Sequence, residues 1–374
     1  MSDNSFLFGH PTKEQIEEHD RILDQTTTLI RNNLYNHLRR SNNPVILSSV
    51  KKIVVITGGG DSSGMNAGVR GVVRTAAELG IKVLGALEGF KGLVEGNFIE
   101  LNIRNVCDII HRGGTKLYTV RYPQFKEDKV VKKAVKVAKE HGIDAVIVIG
   151  GDGSFKGALS LARHGLPCIG IPATIDNDIA CTEYTIGFDT ALNTVQLCVD
   201  HQRDTIESHH RCSVIEVMGA NSGYLTLEAG IAVGATAILI PEMPYDIRKD
   251  VIDKIKKTQK TGKNHFIIMV AEAINKRDCI TVENIAKEIQ QQTGVETRAT
   301  VLGYVQRGGS PTVRDRVIAS RMANHAVHLL HQGLCNRVVV MQENHIMDFD
   351  IEKALDMTKE IDEDLYRCAM EISL

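Results

Sequence analysis

Short apolar runs alternate with longer amphipathic segments along nearly the whole chain. The runs are rich in valine and isoleucine, and the segments between them repeat apolar residues at a period near ~3.6. Strands joined through helices form parallel sheets, so the alternation predicts an α/β fold with mainly parallel sheets. The predicted strands are 52–57, 81–84, 144–149, 167–171, 212–217, 237–240, 265–270, 297–302 and 337–341, and the clearest helical segments are 130–140, 190–205, 247–261 and 314–330.

The first fifty residues lack this alternation. They are polar and contain no strand-like run, but apolar residues recur at helical spacing from Ile16 to Leu38. We predict a helical extension over residues 1–50. Because no basic face accompanies the apolar face before Arg39 and Arg40, packing on its own chain or on a neighbouring subunit is favoured over membrane binding.

The composition excludes several classes of partner. Hydrophobic residues make up 43% of the chain and charged residues 24%, as in soluble globular proteins, and the formal net charge is −2. Such a charge gives no field that attracts nucleic acid or an anionic membrane. No apolar stretch reaches the ~20 residues of a membrane span, and the amino terminus lacks the pattern of a signal peptide. We therefore expect a cytoplasmic protein with neither nucleic acid nor membrane as a partner.

Two glycine loops follow predicted strands and precede predicted helices. One begins at Gly58 and the other at Gly150, and Asp152 stands within the second. Backbone N–H groups of such loops close on phosphates, and a carboxylate among them can hold a cation against the phosphate charge. The first loop is not a Walker A loop, because Met65 stands where a lysine is needed. A single loop of this kind could equally be a structural turn, but two in one chain favour a metal–nucleotide site.

A third loop, Pro172–Asp178, follows the predicted strand 167–171. Open α/β sheets bind ligands at the carboxyl ends of strands, so its two carboxylates, Asp176 and Asp178, are placed for general-base chemistry. A helix-capping turn is the plain alternative. Glu272 also ends a strand and could accept sugar hydroxyls or be a solvated charge. Arginines near glycines or apolar runs suit phosphate capture, although each alone is more often a surface residue: Arg121, Arg211, Arg298 and Arg307.

Taken together, these motifs resemble the 6-phosphofructokinase family in order and spacing, from about Lys51 to past Arg337. The family fold implies two similar three-layer αβα domains with the active site in the cleft between them. The implied division is 1–50 for the extension, 51–187 plus 306–355 for the nucleotide-binding domain, and 188–305 plus 356–374 for the sugar-phosphate-binding domain. The segments that carry the resemblance are GGGDSSGMN (58–66), GGDGS (150–154), PATIDND (172–178), SHHR (208–211), VMG (217–219), ETRATVLG (296–303) and QRGGSP (306–311).

The resemblance implies phosphoryl transfer from Mg-ATP to the 1-hydroxyl of fructose 6-phosphate, giving fructose 1,6-bisphosphate and ADP in glycolysis. Asp176 matches the general base, Asp152 the Mg²⁺-associated aspartate, and Gly60 the backbone group against the transferring phosphoryl. Arg121 matches an arginine that stabilises charge in the transition state, and Thr174 lies with Asp176 and Asp178 at the reacting end of the sugar. The implied ATP site comprises Gly60, Arg121, Gly151, Asp152, Gly153 and Ser154.

The resemblance also implies a homo-oligomer, commonly a homotetramer. Arg211 and Arg298 match arginines that reach the sugar 6-phosphate from a neighbouring subunit. The implied sugar site comprises Thr174, Asp176, Asp178, Arg211, Met218, Gly219, Glu272, Arg298, Tyr304 and Arg307, and the implied allosteric effector pocket comprises Arg70, Arg74, Arg112, Arg203 and Lys263.

The identity of the phosphoryl donor depends on a few positions. Pyrophosphate users of the family tend to carry aspartate at position 153 and lysine at 173, whereas this chain has Gly153 and Ala173, which favours ATP. Ala220 stands where active members commonly carry arginine, and Tyr304 stands where many ATP users carry histidine. A pyrophosphate-dependent enzyme and a catalytically weak regulatory subunit that binds sugar phosphate remain alternatives. A lipid or NAD kinase would explain the loop at Gly150 but neither segment 172–178 nor segment 306–311.

Overall fold

The computed structural model describes Arg21 and residues 49–373. The chain divides into two units, of which Met1–Pro44 is described only at Arg21, and Val45–Leu374 forms one compact unit. The predicted helical extension therefore lies outside the described residues, apart from Arg21 and its last two positions. Among the described residues, no helix combines the length and apolar character that a membrane span requires.

Seven of the eleven described strands form the first sheet, in the order β11-β10-β5-β4-β1-β2-β3. Its five central strands run parallel, whereas β3 and β11 add antiparallel edges. β4 lies between β1 and β5, with Val55 opposite Ile147 and Ile147 opposite Ile169. The strands are β1 Lys52–Thr57, β2 Lys82–Ala86, β3 Phe98–Leu101, β4 Ala145–Gly150, β5 Cys168–Pro172, β10 Arg337–Gln342 and β11 His345–Asp350.

The second sheet is fully parallel and has the order β7-β8-β6-β9. Its central strand β8 is continuously apolar, as expected for a strand that is covered on both faces, whereas β6 includes Ser213 and Glu216 among apolar residues. β9 is more polar and stands at the edge. The strands are β6 Cys212–Val217, β7 Ala237–Leu239, β8 Phe266–Ala271 and β9 Thr297–Val301.

Twelve α-helices are described in the compact unit, together with three short 3₁₀ turns and one π-helical turn. The turns are Arg104–Val106, Pro123–Lys126 and Gly303–Arg307, which are 3₁₀, and Ile247–Ile252, which is π-helical. The helices are α1 Met65–Glu78, α2 Phe90–Glu95, α3 Asp128–Glu140, α4 Asp152–Arg163, α5 Phe188–Ser208, α6 Tyr224–Ala232, α7 Asp253–Gln259, α8 Glu272–Asp278, α9 Val282–Thr293, α10 Val313–His331, α11 Ile351–Leu355 and α12 Glu363–Ile372.

Helices cover both faces of each sheet. In the first sheet, Ile53 and Val55 pack with α1 and α10, and the opposite face carries α4. In the second sheet, Ile215 and Val217 pack with α5 and α6, whereas Cys212 and the other alternate residues pack with α7 and α9. Each sheet is thus the middle of three layers, because alternate side chains of a strand point to opposite faces.

The structure confirms the predicted α/β fold and all nine predicted strands to within two residues at each end. It adds β3 and β11, which have the sequences FIEL and HIMDFD. Both are antiparallel edge strands with fewer apolar residues, so their sequences give a weak strand signal. The predicted domain boundaries are compatible with the membership of the two sheets, and the division itself stays a prediction.

Candidate active site

The two glycine loops lie side by side, because β1 and β4 are neighbours in the first sheet. The Gly58 N–H donates to the Ile149 carbonyl at 3.0 Å. A Cβ atom on Gly58 would stand 2.7 Å from Ser154 Oγ, and one on Gly150 would stand 2.5 Å from the same atom. Only glycine permits this approach. By contrast, a Cβ atom on Gly151 or Gly153 would meet no atom within 4 Å, so the outer side of the second loop is open.

Asp152 begins α4 and is exposed beside the open loop. The pKa of its carboxyl is raised, because part of the side chain is desolvated and, to a smaller extent, because Asp178 lies nearby. Two neighbouring carboxylates attract a cation, and the N–H groups at the amino terminus of α4 attract a phosphate. Mg²⁺ in proteins is held by one or two carboxylates, and phosphates and water complete its coordination. Asp152 therefore fits a magnesium–nucleotide site.

Asp176 follows β5 and is only 8% exposed. Its Oδ1 atom is buried without a hydrogen-bond partner among the described residues. Burial, reinforced by Asp178, raises the pKa of the Asp176 carboxyl to about 6, against the opposing influence of the Arg307 guanidinium. A carboxylate with a free oxygen and a pKa near neutrality has the properties of a general base.

The backbone around Asp176 is held by side chains of the same loop. The Asp176 N–H donates to Thr174 Oγ1 at 3.2 Å, and Thr185 Oγ1 donates to the Thr174 carbonyl at 2.7 Å. Ser222 Oγ, from the loop after β6, donates to the Asp176 carbonyl at 3.3 Å. The loop that carries the candidate base is thus hydrogen-bonded to the loop that follows β6 of the second sheet.

Arg307 joins the first glycine loop to the region of Asp176. Its Nη1 donates to the Asp61 carbonyl at 3.2 Å, and a Cβ atom on Gly60 would stand 2.6 Å from that nitrogen. Ser63 Oγ donates to the Gly309 carbonyl at 2.8 Å. The predicted association of Gly60, Arg307 and Asp176 is therefore present in the structure.

Arg121 is exposed, and it directly follows a segment that is hydrogen-bonded to the first glycine loop. Thr119 Oγ1 donates to the Gly59 carbonyl at 2.8 Å, and Thr57 Oγ1 donates to the Tyr118 carbonyl at 3.0 Å. These bonds fix the segment before Arg121 against the loop, so an arginine two residues further on is within reach of a phosphate bound there.

The carboxyl ends of β6 and β8 bring Met218, Gly219 and Glu272 together. Glu272 Oε1 accepts hydrogen bonds from the N–H groups of Gly219, at 3.2 Å, and Ala220, at 2.7 Å. Ala220 has a φ of 55°, which is unusual for a residue with a side chain. A cavity adjoins this cluster and is lined by Glu216, Met218, Glu272, Val301, Gly303 and Tyr304.

Arg211 and Arg298 lie elsewhere. Both form ion pairs with Glu296, at 3.0 Å from Arg211 Nε and 2.5 Å from Arg298 Nη2. Arg211 precedes β6 and Met218 follows it, so the length of that strand, roughly 20 Å at ~3.3 Å per residue, separates them. Within one chain these two arginines are therefore remote from Met218 and Glu272.

The residues of the predicted effector pocket fall into two groups. Arg203 lies near Lys263 and contributes, after desolvation, to a lowered pKa of that lysine. Arg70 and Arg74 lie on α1, and the Arg112 carbonyl accepts from Asn66 of the same helix at 3.1 Å. The two groups lie on different elements, and the pocket stays a prediction.

Several residues of the site were missed in the sequence. Lys276 donates to the Ala220 carbonyl at 2.8 Å and lies 3.3 Å from Glu272 Oε1. Gln306 is buried and accepts from the Met218 N–H at 3.1 Å. Lys359 bonds to the loop of Asp176 from far along the chain. Gln306 could have been suspected from its motif, but lysines in polar segments give no signal of this kind.

Comparison with known proteins agrees with this geometry. A family model described as phosphofructokinase matches residues 52–330. An ATP-dependent 6-phosphofructokinase of Bacillus thuringiensis (strain Al Hakam) is 50% identical over 314 residues, which are 84% of this chain and 97% of that protein.

Solved structures show the same likeness. A Pichia pastoris phosphofructokinase in the T-state superposes with a TM-score of 0.77 at 32% identity, over 89% of this chain and 37% of that longer chain. A pyrophosphate-dependent phosphofructokinase from Nitrosospira multiformis superposes with a TM-score of 0.77 at 18% identity, over 86% of this chain and 91% of that one, which shows the fold alone. With its glycine loops, buried Asp176 and matched sequence, this chain belongs to the phosphofructokinase family.

Proposed function

We propose that this chain transfers the terminal phosphoryl group of Mg-ATP to the 1-hydroxyl of fructose 6-phosphate, giving fructose 1,6-bisphosphate and ADP, a step of glycolysis. The observation that carries the proposal is Asp176. Its buried Oδ1, which has no hydrogen-bond partner in the described part of the chain, stands in a loop that contacts Ser222 near the candidate sugar site, while Arg307 links that region to the first glycine loop. The 50% identical Bacillus relative, named an ATP-dependent 6-phosphofructokinase, supports the same reaction.

In this mechanism Asp176 accepts the proton of the sugar hydroxyl while the hydroxyl oxygen attacks the terminal phosphorus of ATP. An alcohol is a poor nucleophile, and a base of suitable pKa within reach accelerates its attack. Thr174 and Asp178 shape the surroundings of the hydroxyl. The Gly60 N–H and the Arg121 guanidinium stabilise negative charge on the transferring group. Asp152 would hold Mg²⁺, which would offset the charge of the phosphate oxygens.

The sugar is held from the second sheet. Met218, Gly219, Glu272 and Tyr304 line or adjoin one cavity, and Arg307 lies near Asp176. Glu272 already accepts two backbone N–H groups through Oε1, which orients its other oxygen for a sugar hydroxyl. An active enzyme is favoured over a regulatory subunit, because a binding module needs no buried base of raised pKa.

The donor is proposed to be ATP because the second glycine loop is open at Gly151 and Gly153. Gly151 and Ser154 position the backbone of the loop, and an adenosine group can pass over Gly153 without meeting a side chain. Initial rates with Mg-ATP and with Mg-pyrophosphate test the proposal. Turnover with pyrophosphate alone contradicts the choice of donor, and no turnover with either donor contradicts the enzymatic function.

Gly153→Asp tests the same loop by substitution. The open space means that the variant should fold normally, while the added carboxylate repels the polyphosphate and obstructs the adenosine. We expect the KM for ATP to rise about tenfold or more, which corresponds to a loss of about 1.4 kcal/mol in binding. Gly153→Ala is the matched control and should change the KM little. An unchanged KM in Gly153→Asp would show that ATP does not cross this position.

The proposed sugar site is incomplete within one chain, which favours self-association. Arg211 and Arg298 lie at the end of the second sheet remote from Met218, where they can serve the site of a neighbouring subunit. Elsewhere the surface carries exposed apolar side chains from α5, the end of β9, the turn 303–307 and the start of α10, namely Leu197, Val301, Tyr304, Val305, Val313 and Val317. α5 contacts both that turn and α10. A patch of this kind favours a subunit interface, and we propose a homo-oligomer, with the homotetramer of the family as its form.

A mixing experiment tests whether Arg298 acts across subunits. Arg298→Ala should raise the KM for fructose 6-phosphate, and Asp176→Asn should remove turnover. If subunits of the two variants are mixed, each mixed pair contains one intact site, so we expect about a quarter of the unaltered activity at limiting substrate for random pairing. Arg298→Ala mixed with itself is the control. Recovery no greater than the sum of the separate variants would contradict donation across subunits.

We also propose an allosteric effector pocket and a cytoplasmic location. Arg70, Arg74, Arg112, Arg203 and Lys263 would bind a phosphorylated effector only if subunits bring the two groups of basic residues together. A rate response to ADP or phosphoenolpyruvate at subsaturating fructose 6-phosphate would support the pocket. A cytoplasmic location agrees with the proposed glycolytic role.

A further inference from the structure

Lys359 reaches the loop of Asp176 from the segment between α11 and α12. Its Nζ donates to the Asn177 carbonyl at 2.5 Å and to the Thr182 carbonyl at 3.2 Å. Asn177 lies directly between Asp176 and Asp178 and has a φ of 50°, in the left-handed region. A residue held in that conformation needs support from its surroundings, and here a cation bonded to its carbonyl provides it.

The same ammonium group also contacts Tyr224, which lies next to the candidate sugar site. Lys359 Nζ lies 5.0 Å from the centre of the Tyr224 ring, and Tyr224 Oη donates back to the Lys359 carbonyl at 3.2 Å. Tyr224 begins α6, directly after the loop of Met218, Gly219 and Ser222. Lys359 therefore connects the loop of the candidate base with the helix that follows the sugar-binding loop.

The charged groups around Lys359 come from two elements besides its own. Asp178 and Glu183 face it from the loop after β5 and Glu228 faces it from α6, and these three carboxylates raise the pKa of the lysine. The Cys181 thiol on the same loop stays neutral, because burial raises its own pKa to about 12. Burial outweighs the carboxylates and lowers the pKa of Lys359 to about 8. Lys359 is thus mostly charged at neutral pH, and it loses its proton under mildly alkaline conditions.

We propose that Lys359 is a positioning residue for the phosphoryl transfer: it holds the Asp176–Asp178 loop against α6, so that the carboxylate of Asp176 faces the sugar hydroxyl. The inference rests on the proposed function. Lys359 does not bond to the Asp176 side chain and acts through the backbone of Asn177. Without the ammonium group, the Asn177 carbonyl next to Asp176 loses this hydrogen bond, and the base can turn away from the attack geometry.

The test compares Lys359→Met, which keeps the length of the side chain, with Lys359→Arg, which keeps the charge. We expect Lys359→Met to lower kcat about 10- to 100-fold, because small displacements of a catalytic group have effects of this size. The KM for ATP should change less than about threefold, since Asp152 and the glycine loops are untouched. Lys359→Arg should recover most of the kcat. Lys287→Met, at an exposed position on α9, is the matched control and should leave all constants unchanged.

The pH profile of kcat separates positioning from a purely structural role. In the unaltered chain kcat should fall as the pH rises through about 8, where Lys359 loses its proton. Arginine keeps its charge there, so this alkaline fall should move to higher pH in Lys359→Arg. The profile of the unaltered chain and Lys359→Arg also test the proposal should Lys359→Met not fold.

Two outcomes overturn the inference. The first is a Lys359→Met enzyme that is less stable to heat but has the kcat of the unaltered chain, which would make the lysine merely structural. The second is an alkaline fall that is identical in the unaltered chain and in Lys359→Arg. If the unaltered chain transfers phosphoryl groups from neither ATP nor pyrophosphate, the proposed function fails as well, and this inference falls with it.

Discussion

Replacing Asp176 with asparagine is expected to lower kcat by about 100- to 10,000-fold, the range that general-base catalysis contributes. The amide cannot accept the proton of the sugar hydroxyl, although its size and its hydrogen-bonding geometry are nearly unchanged. Binding of fructose 6-phosphate should persist, because Glu272, Arg307 and the other residues of the sugar site remain. Steady-state kinetics measure the loss of kcat, and titration calorimetry measures the binding.

Asp204→Asn is a suitable control, since Asp204 is exposed on α5 and away from the site. It should leave kcat unchanged. A regulatory subunit without activity of its own would be indifferent to both substitutions. Asp176→Asn with full activity would therefore contradict the assigned base, and loss of binding together with activity would point to a structural role for the carboxylate.

The pH dependence of kcat/KM tests the role of the same carboxylate independently. The pKa of Asp176 is raised to about 6, so the carboxyl is protonated, and unable to act as a base, below that pH. We expect kcat/KM to fall as the pH drops through about 6, because this constant reports groups of the free enzyme. Residual turnover of Asp176→Asn should lack this acid fall.

Asp315→Ala is expected to lower the free energy of unfolding by about 3 kcal/mol or more. Asp315 is fully buried in the first turn of α10 and accepts four hydrogen bonds. Burial raises the pKa of its carboxyl, and the donated hydrogen bonds oppose that rise. The donors are Tyr184 Oη at 2.6 Å, the Gly187 N–H at 2.6 Å, the Thr190 N–H at 2.9 Å and Thr190 Oγ1 at 2.5 Å.

Alanine leaves these buried donors without an acceptor, and each unsatisfied group costs about 1–3 kcal/mol. The loss should extend to the active site, because Thr185 Oγ1 bonds to the Thr174 carbonyl and Ser62 Oγ bonds to the Ile186 carbonyl. Unfolding in urea measures the effect on stability. Asp204→Ala is the control and should stay within about 0.5 kcal/mol of the unaltered chain. A stable Asp315→Ala would show that water or a local shift satisfies the donors.

The position of the catalytic loops could be predicted because it follows from local rules. Alternating strands and helices require parallel sheets, and parallel strands place their carboxyl ends at one edge. The loops at Gly58, Gly150 and Pro172 each follow a predicted strand, and the order β5-β4-β1 brings them together. The place of Asp176 after such a strand suggested chemistry, and the family resemblance implied its role as general base.

The arginines show where this reasoning ends. Arg211, Arg298 and Arg307 looked alike from their motifs, and the resemblance alone assigned them to different subunits. In the structure Arg307 meets the first glycine loop near Asp176, whereas Arg211 and Arg298 share Glu296 at the other end of β6. The difference depends on which end of a strand each residue occupies and on how the two sheets approach each other.

The sequence by itself determined the fold class, the strand ends that carry the catalytic loops, and the chemical character of Asp152 and Asp176. These features depend on periodicity and on neighbours along the chain. Only the tertiary structure decided that Asp176 keeps an unpartnered oxygen, that Lys276 approaches Ala220, and that Lys359 holds Asn177 across 182 positions. Such contacts join distant segments, and their energy comes from burial and charge that exist only after the chain has folded.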